Sequence, residues 1–217
     1  RASVVVVSFE RLGVEGLAMG LEVRTRVDAG GYELLRRGLS REEVWRELWL
    51  SACRLLGIER AVVPRTFPVG AADHLRANGI ELTVDQELFD ARRRRKNPAE
   101  LAGIRRAQRA AEAGMAAGLG LLRRAVPANG GLAVEGEPLT CELLKLHVER
   151  AFGDHGATAE ELIVSHGAQT AVGHDMGSGP IAPGEPVLFD LFPRDRESGC
   201  YADMTRTVVV GEPADEI

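Results

Sequence analysis

The 217-residue sequence predicts a two-domain α+β protein, with a small α/β domain in front, and three observations carry that expectation. The first ninety residues alternate short β-branched runs with amphipathic stretches, the pattern of a small layered α/β unit. A long helical stripe then opens at Asn97-Pro98. Past Gly156 the text turns to strands, "ELIVSHG", "PVLFDLF" and "CYADMTRTVVVGEP".

Taken in order, "SVVVVSF" (3–9) is β-branched and short enough for a strand, and "GYELLRRG" follows with helical spacing. In "SREEVWRELWLSACRLLG" (40–57), Ser40 and Glu43 form a capping box, and Gly57 sits where a helix stops. Trp45 and Trp49 fall four apart on one face and read as packing residues. "RAVVPRTF", "GAADHLRANG" and "IELTVD" read as strand, helix and strand. The arginine run "RRRRK" (92–96) reads as a solvated linker, which sets the domains at 1–92 and 93–217. Pro98 presets the first turn of the next helix. Leu101, Ile104, Gln108, Ala111, Met115, Gly118 and Leu122 form its stripe, and Pro127 closes it. Within that stripe the glycines of "GMAAGLG" point to close helix packing, with no phosphate-binding pattern around them. "ANGGLAVEGEP" (128–138) reads as a loop and "LTCELLKLHVERAFGDHG" as a helix capped near Thr140.

Composition narrows the function classes. Hydrophobic residues at 45% and charged residues at 27% fit a globular chain. A net charge of −5 offers nothing to nucleic acid or to an anionic membrane. No apolar run approaches the ~20 residues of a spanning helix. Three cysteines with no CxxC pair suit a reducing compartment, so a cytoplasmic location is expected. The chain begins at Arg1, so residues are expected to precede it.

The chemistry concentrates in "LFDLFPRDRESGCYADMTRTVVVGEP" (188–213). Asp190 interrupts an apolar strand, and Asp203 stands beside Tyr201 ahead of "TVVV", where burial is expected for both. The turn-rich "PRDRESG" allows the two strands to pair as a hairpin, with both carboxylates on one face, across from each other. Close carboxylates cannot both stay ionised in a buried site without compensation. A shared proton and a divalent cation are both open, and so is a plain hairpin whose acids face solvent or pair with Arg194, Arg196 or Arg206. Oxygen ligands favour Mg²⁺ or Mn²⁺, and an added imidazole admits Co²⁺, Zn²⁺ or Fe²⁺.

These residues carry a resemblance. "FDLF…YADMTRTVVVG" resembles the signature hairpin of the pita-bread metallopeptidases, which include Xaa-Pro aminopeptidases, prolidases and methionine aminopeptidases. "ELIVSHGAQTAVGHDMGSGPIAPGEPVLFDL" and "RRKNPAELAGIRRAQRAAEAGM" are similar to the family's approach to its first aspartate and to its entry helix. The likeness covers residues 93–213. The first part is more loosely similar to the α/β domain of the creatinase, prolidase and aminopeptidase P branch, so the fold implied is that domain followed by the first half of a pita-bread domain.

By that resemblance Asp190 binds one ion and Asp203 bridges both ions of a two-metal centre holding Mn, Co or Zn. His174, in "VGHDM", matches the loop histidine that steadies the developing oxyanion, and Thr205 and Arg206 support the hairpin from behind the ligands. The implied reaction is hydrolysis of the bond between an N-terminal residue and proline in a peptide substrate, by a homodimer with no nucleic-acid or membrane partner. A non-catalytic pita-bread binding module and a metal-free creatinase-like hydrolase are the alternatives. Retention of both aspartates weighs against each.

Two departures accompany the likeness. Thirteen positions separate Asp190 from Asp203, more than the family usually shows, with "PRDRESG" absorbing the excess as a longer turn. The family also needs a further histidine and two glutamates after "RTVVVGEP". The chain stops at Ile217, so an inactive fragment lacking the C-terminal part of the catalytic domain is expected. A separate mononuclear site from His155, His166, His174 and Asp175 matches no standard ligand spacing, and Ser165-His166-Gly167 lacks a nucleophile elbow.

Overall fold

The computed structural model describes residues 3–5 and 22–213, and the expected strand residues 6–9 lie outside them. Two compact units divide the chain, Arg1–Arg95 and Lys96–Ile217.

In the first unit β1 (Ser3–Val5) pairs in parallel with β2 (Glu22–Arg24), and α1 (Gly31–Arg36) follows. Helix α2 (Arg41–Leu55) starts where its sequence dictates: Ser40 Oγ accepts from the Glu43 N–H at 3.3 Å, and the Glu43 carboxylate accepts from the Ser40 N–H at 2.8 Å. Strands β3 (Arg60–Val63) and β4 (Glu81–Val84) are parallel, and α3 (Val69–Ala77) makes the crossover that parallel neighbours need. Leu50, Cys53, Leu75 and Ile80 bury together, and Ala29, Leu34, Val44 and Leu48 form a second cluster. Arg26 lies 4.9 Å above the Trp45 ring, and Trp49 meets Phe67 edge-on at 5.1 Å. The arginine run is partly helical, and the border between the two units falls at its end, between Arg95 and Lys96. Arg92, Arg93 and Arg94 form the last turn of α4 (Gln86–Arg94), where cations complement the free carbonyls of a helix end.

The second unit is built on α5 (Pro98–Arg124), capped by a reciprocal pair of hydrogen bonds between Asn97 and Glu100. Its buried face runs through Gly103, Ala107, Ala110, Ala111, Gly114, Met115, Gly118, Leu121 and Leu122. Leu101, expected on that stripe, is exposed. Small residues win the face because aromatic rings from other elements fill it. A Cβ at Gly114 would collide with the Phe152 ring, and one at Gly118 with the Phe189 ring.

The stretch expected as a loop is a small antiparallel sheet of β5 (Val126–Ala128), β6 (Gly131–Val134) and β7 (Glu137–Pro138). Asn129 (φ 50°) with Gly130 (φ 80°), and Glu135 (φ 56°) with Gly136 (φ 89°), supply the left-handed residue pairs that two-residue hairpins require. Helix α6 (Cys141–Asp154) buries Cys141, Leu144, Val148 and Phe152, and Thr140 Oγ1 caps it by accepting from the Leu143 N–H at 3.2 Å. Burial raises the Cys53 thiol and pushes Cys141 up to about 11, while Cys200 is only half-buried. After β8 (Ala157–Thr158), the main sheet has the order β12–β10–β9, all antiparallel: β9 is Ile163–His166, β10 Pro186–Leu191 and β12 Met204–Val209.

Between β10 and β12 the segment read as a simple turn is an anchored loop. Its short strand β11 (Arg194–Asp195) pairs with β8, and Asp195 is buried. Arg106 of α5 donates to both Asp195 oxygens, from Nε at 3.0 Å and from Nη2 at 2.9 Å, and the Ser198 N–H adds a bond at 2.8 Å. Gly103, one turn earlier, lets Ser198 and Cys200 lie directly on the helix. The Arg106 guanidinium, against the cost of burial and with help from Ser198, holds the Asp195 carboxyl at about 2.

A depressed carboxylate stabilises the fold above its unfolded value and loses that contribution as pH falls through its folded value. For a drop from 3.8 to about 2, the contribution is on the order of 2 kcal/mol. Urea titrations should show it fully present above pH ~4 and fading toward pH ~2, and Asp195→Asn should lose about 2–4 kcal/mol at pH 7. Gly114→Val should lower stability by about 2 kcal/mol or more in the same assay, since the helix face has no room for the added methyls.

Candidate metal centre

Strand alternation decides where each acid points. In β10, Val187, Phe189 and Leu191 are fully buried, so Leu188 and Asp190 occupy the opposite face. On β12 the residue directly opposite Asp190 is Thr205, and its Oγ1 donates to Asp190 Oδ1 at 2.6 Å. Asp203 precedes the first residue of β12 and lies two positions from Thr205. By alternation it shares the Asp190 face, displaced diagonally. The two acids are therefore on one side of the ribbon, but Thr205, not Asp203, faces Asp190. Arg206, next along, belongs to the other face and donates from Nη1 to the Thr205 carbonyl at 2.6 Å.

Burial of these acids is less than expected: Asp190 is half-buried and Asp203 is exposed. The buried side of β10 is sealed by α5 and α6, whereas the Asp190 side carries threonines at 205 and 207, both open to solvent. Among the described residues neither acid forms an ion pair with Arg194, Arg196 or Arg206; Arg194 instead lies 5.9 Å over the Tyr201 ring. Two carboxylates beside a hydroxyl are hard oxygen donors, suited to a hard divalent cation. Among the described residues no group of three or more His, Cys, Asp or Glu side chains gathers to enclose one. The donor chemistry fits a metal, and the donor count is that of part of a site.

His174 stands apart from the carboxylates in sequence. It is exposed and left-handed (φ 64°), on the loop that follows the 3-10 turn Gly167–Ala171. This loop runs along the free edge of β9, where the Val164 N–H donates to the Met176 carbonyl at 3.3 Å. Gly177 (φ 75°) lies so close to the Val164 carbonyl and the Ser165 Cα that no side chain fits there. Val164 is the cross-strand neighbour of Phe189, so the loop carrying His174 is tied to the strand next to that of Asp190.

Several residues fasten this loop, and of them only Asp175 was named from sequence, in another role. Lys145 Nζ of α6 donates to the Gly177 carbonyl at 2.8 Å, and Glu142, one turn earlier, accepts from the Gly179 N–H at 3.1 Å. Gln169 accepts from the Ser178 N–H at 3.2 Å and donates to the Ser178 carbonyl at 3.0 Å. Asp175 Oδ1 accepts from the Gly177 N–H at 2.8 Å. Only the i, i+2 Asp-Gly turn left a trace in the sequence; the α6 contacts span more than thirty positions and left none. The four-residue metal alternative does not assemble among the described residues, and His155 Nδ1 faces the Ala151 carbonyl of its own helix at 2.9 Å.

Solved structures share this architecture. The prolidase from Pyrococcus furiosus superposes with a TM-score of 0.62 at 18% identity, covering 98% of this chain and 54% of its own. The X-Pro aminopeptidase from Thermotoga maritima gives 0.60 at 17% identity, covering 99% and 53%. The X-prolyl aminopeptidase from Caenorhabditis elegans, described as a cytosolic enzyme with a di-nuclear active site, gives 0.62 at 17%, covering 99% and 33%. At these identities the likeness is one of fold, here the pita-bread fold preceded by its α/β unit. The chain spans about half the length of the first two structures. No curated protein sequence matches it. The model of metallopeptidase family M24 matches residues 102–217, more than half of the chain, which therefore belongs to that family.

Proposed function

We propose that the full-length protein is a metal-dependent peptidase that cleaves the bond between an N-terminal residue and proline, and that this chain contributes Asp190 and Asp203 to its two-metal centre. The observation that carries the reading is Asp190 on the open face of the β10–β12 ribbon, accepting from Thr205 Oγ1. Asp203 lies just ahead of β12, on that face if strand alternation is extended by one residue. Membership of a metallopeptidase family and the shared fold of prolidases and Xaa-Pro aminopeptidases support it. We read residues 1–92 as the accessory domain and 93–217 as the catalytic portion.

When bound, divalent ions supply the positive charge that lets water attack a carbonyl near neutral pH. The chain's own residues have distinct tasks. Asp190 and Asp203 hold the ions. Thr205 donates to one Asp190 oxygen and so fixes the carboxylate's rotamer, leaving the other oxygen as donor. Arg206 stiffens the strand behind it through the Thr205 carbonyl. His174 donates to the scissile carbonyl oxygen as negative charge builds there. A proline amide nitrogen carries no hydrogen, so its leaving group needs a site shaped for a tertiary amide. Mn²⁺, Co²⁺ or Zn²⁺ fits a centre that combines carboxylates with imidazole. A homodimer acting in the cytoplasm is part of the same reading, and among the described residues no helix is long and apolar enough to cross a membrane.

The test uses the full-length protein supplied with Mn²⁺ or Co²⁺. Release of proline from an Xaa-Pro dipeptide, and of the N-terminal residue from longer Xaa-Pro peptides, is expected, with calorimetric metal binding. Asp203→Ala should abolish both binding and turnover, and Thr205→Val should lower kcat about tenfold with the fold intact. Folded protein that binds no metal and releases no proline would return the chain to the binding-module reading. C–N hydrolysis that survives metal removal would favour the creatinase-like one.

A further inference from the structure

A side-chain tie between the His174 loop and the sheet comes from His166, the last residue of β9. Its ring is mostly buried, with 14% of the side chain exposed, and both nitrogens are engaged. Nδ1 lies 2.7 Å from Glu185 Oε2, just ahead of β10, and Nε2 lies 3.2 Å from the carbonyl oxygen of Ser178 in the loop. Gly167 (φ 51°) has no Cβ, and one built there would press on the Glu185 carboxylate. The glycine thus gives that carboxylate room to reach the ring.

We propose that His166 is the positioning residue of the His174 loop, a doubly protonated imidazolium whose two N–H groups cross-link Glu185 on the sheet to the Ser178 carbonyl on the loop. The argument is one of donor count. An ionised carboxylate and a backbone carbonyl are acceptors only, whereas a neutral imidazole has one donor and one acceptor. Either neutral tautomer would aim a lone pair at an oxygen. Only the charged ring satisfies both contacts.

Glu185 is prepared for its part. Burial would raise its carboxyl, but the His166 ring and the Ala182 N–H, which donates to Oε2 at 3.1 Å, hold it below the ordinary range, so the ring faces an anion. The Ser178 carbonyl has two lone pairs and receives Gln169 Nε2 on one and His166 on the other. Through Ser178 the cross-link fixes the segment that Gly177 seats against β9, four residues beyond His174. This role rests on the proposed function only in assigning catalytic meaning to His174; the cross-link itself does not depend on it.

The experiment is nuclear magnetic resonance on the full-length, ¹⁵N-labelled protein, combined with kinetics. Ring N–H protons exchange quickly with water unless they are hydrogen-bonded. Two persistent N–H signals on a single imidazole are expected, both lost in His166→Gln. Glu185→Gln should remove at least the Nδ1 signal. Both variants should shift the amide signals of Gly177, Ser178 and His174 and leave those of α5 in place. If the protein is a peptidase, His166→Gln should lower kcat roughly tenfold or more with little change in KM, because a misplaced oxyanion donor is missed only in the transition state. One ring N–H signal or none in the wild type, or loop amides unmoved in His166→Gln, overturns the cross-link. A protein without peptidase activity that keeps both ring signals overturns the catalytic reading alone.

Discussion

The site depends first on one packing constraint, the seating of Phe189 on Gly118. A full aromatic ring occupies the space that a side chain on the long helix would take, and Val187 and Leu191 bury alongside it. With a period of two, that choice leaves Asp190 no freedom: it must point away from the helices. A one-residue slip of the strand would bury a charge and expose three large apolar side chains. The orientation of the acid therefore follows from the hydrophobic side of the sheet, without any contact that Asp190 makes itself.

The second aspartate needs a different device, because it arrives after a long connection. Flexible connections cost little to lengthen but specify register poorly. Here the connection is clamped midway by the two parallel hydrogen bonds from Arg106 to Asp195. Removing two charges from water is costly, so such a pair is informative less for its net stability than for the geometry it enforces. It delivers Ala202 to the α5 face, and Asp203 follows on the open side of the ribbon.

Much of this was readable in the sequence where the signal was local. The Ser40 and Asn97 caps, the alternation of 186–191, and the close-packing glycines 114 and 118 all act within a few residues, and each appears in the structure. Two hairpin turns at Asn129-Gly130 and Glu135-Gly136 were equally local, yet the glycine-rich composition around them suggested a loop. What sequence could not give is partnership at distance. Asp195 reads as one more turn residue until Arg106 is found 89 positions away, and nothing in "SHG" discloses the carboxylate 19 positions on. Burial was expected at 190 and 203, whereas Asp190 is half-buried on the face opposite the helices and Asp203 is exposed.

The distribution of the free thiols has a practical corollary. Cys53 and Cys141 sit deep in their respective units, and burial keeps their sulfur protonated and withdrawn from electrophiles. Cys200 alone comes near the surface, in the clamped connection between the two acid-bearing strands. Within this chain Cys200 is thus the thiol most open to a fluorophore or spin probe, three residues from Asp203.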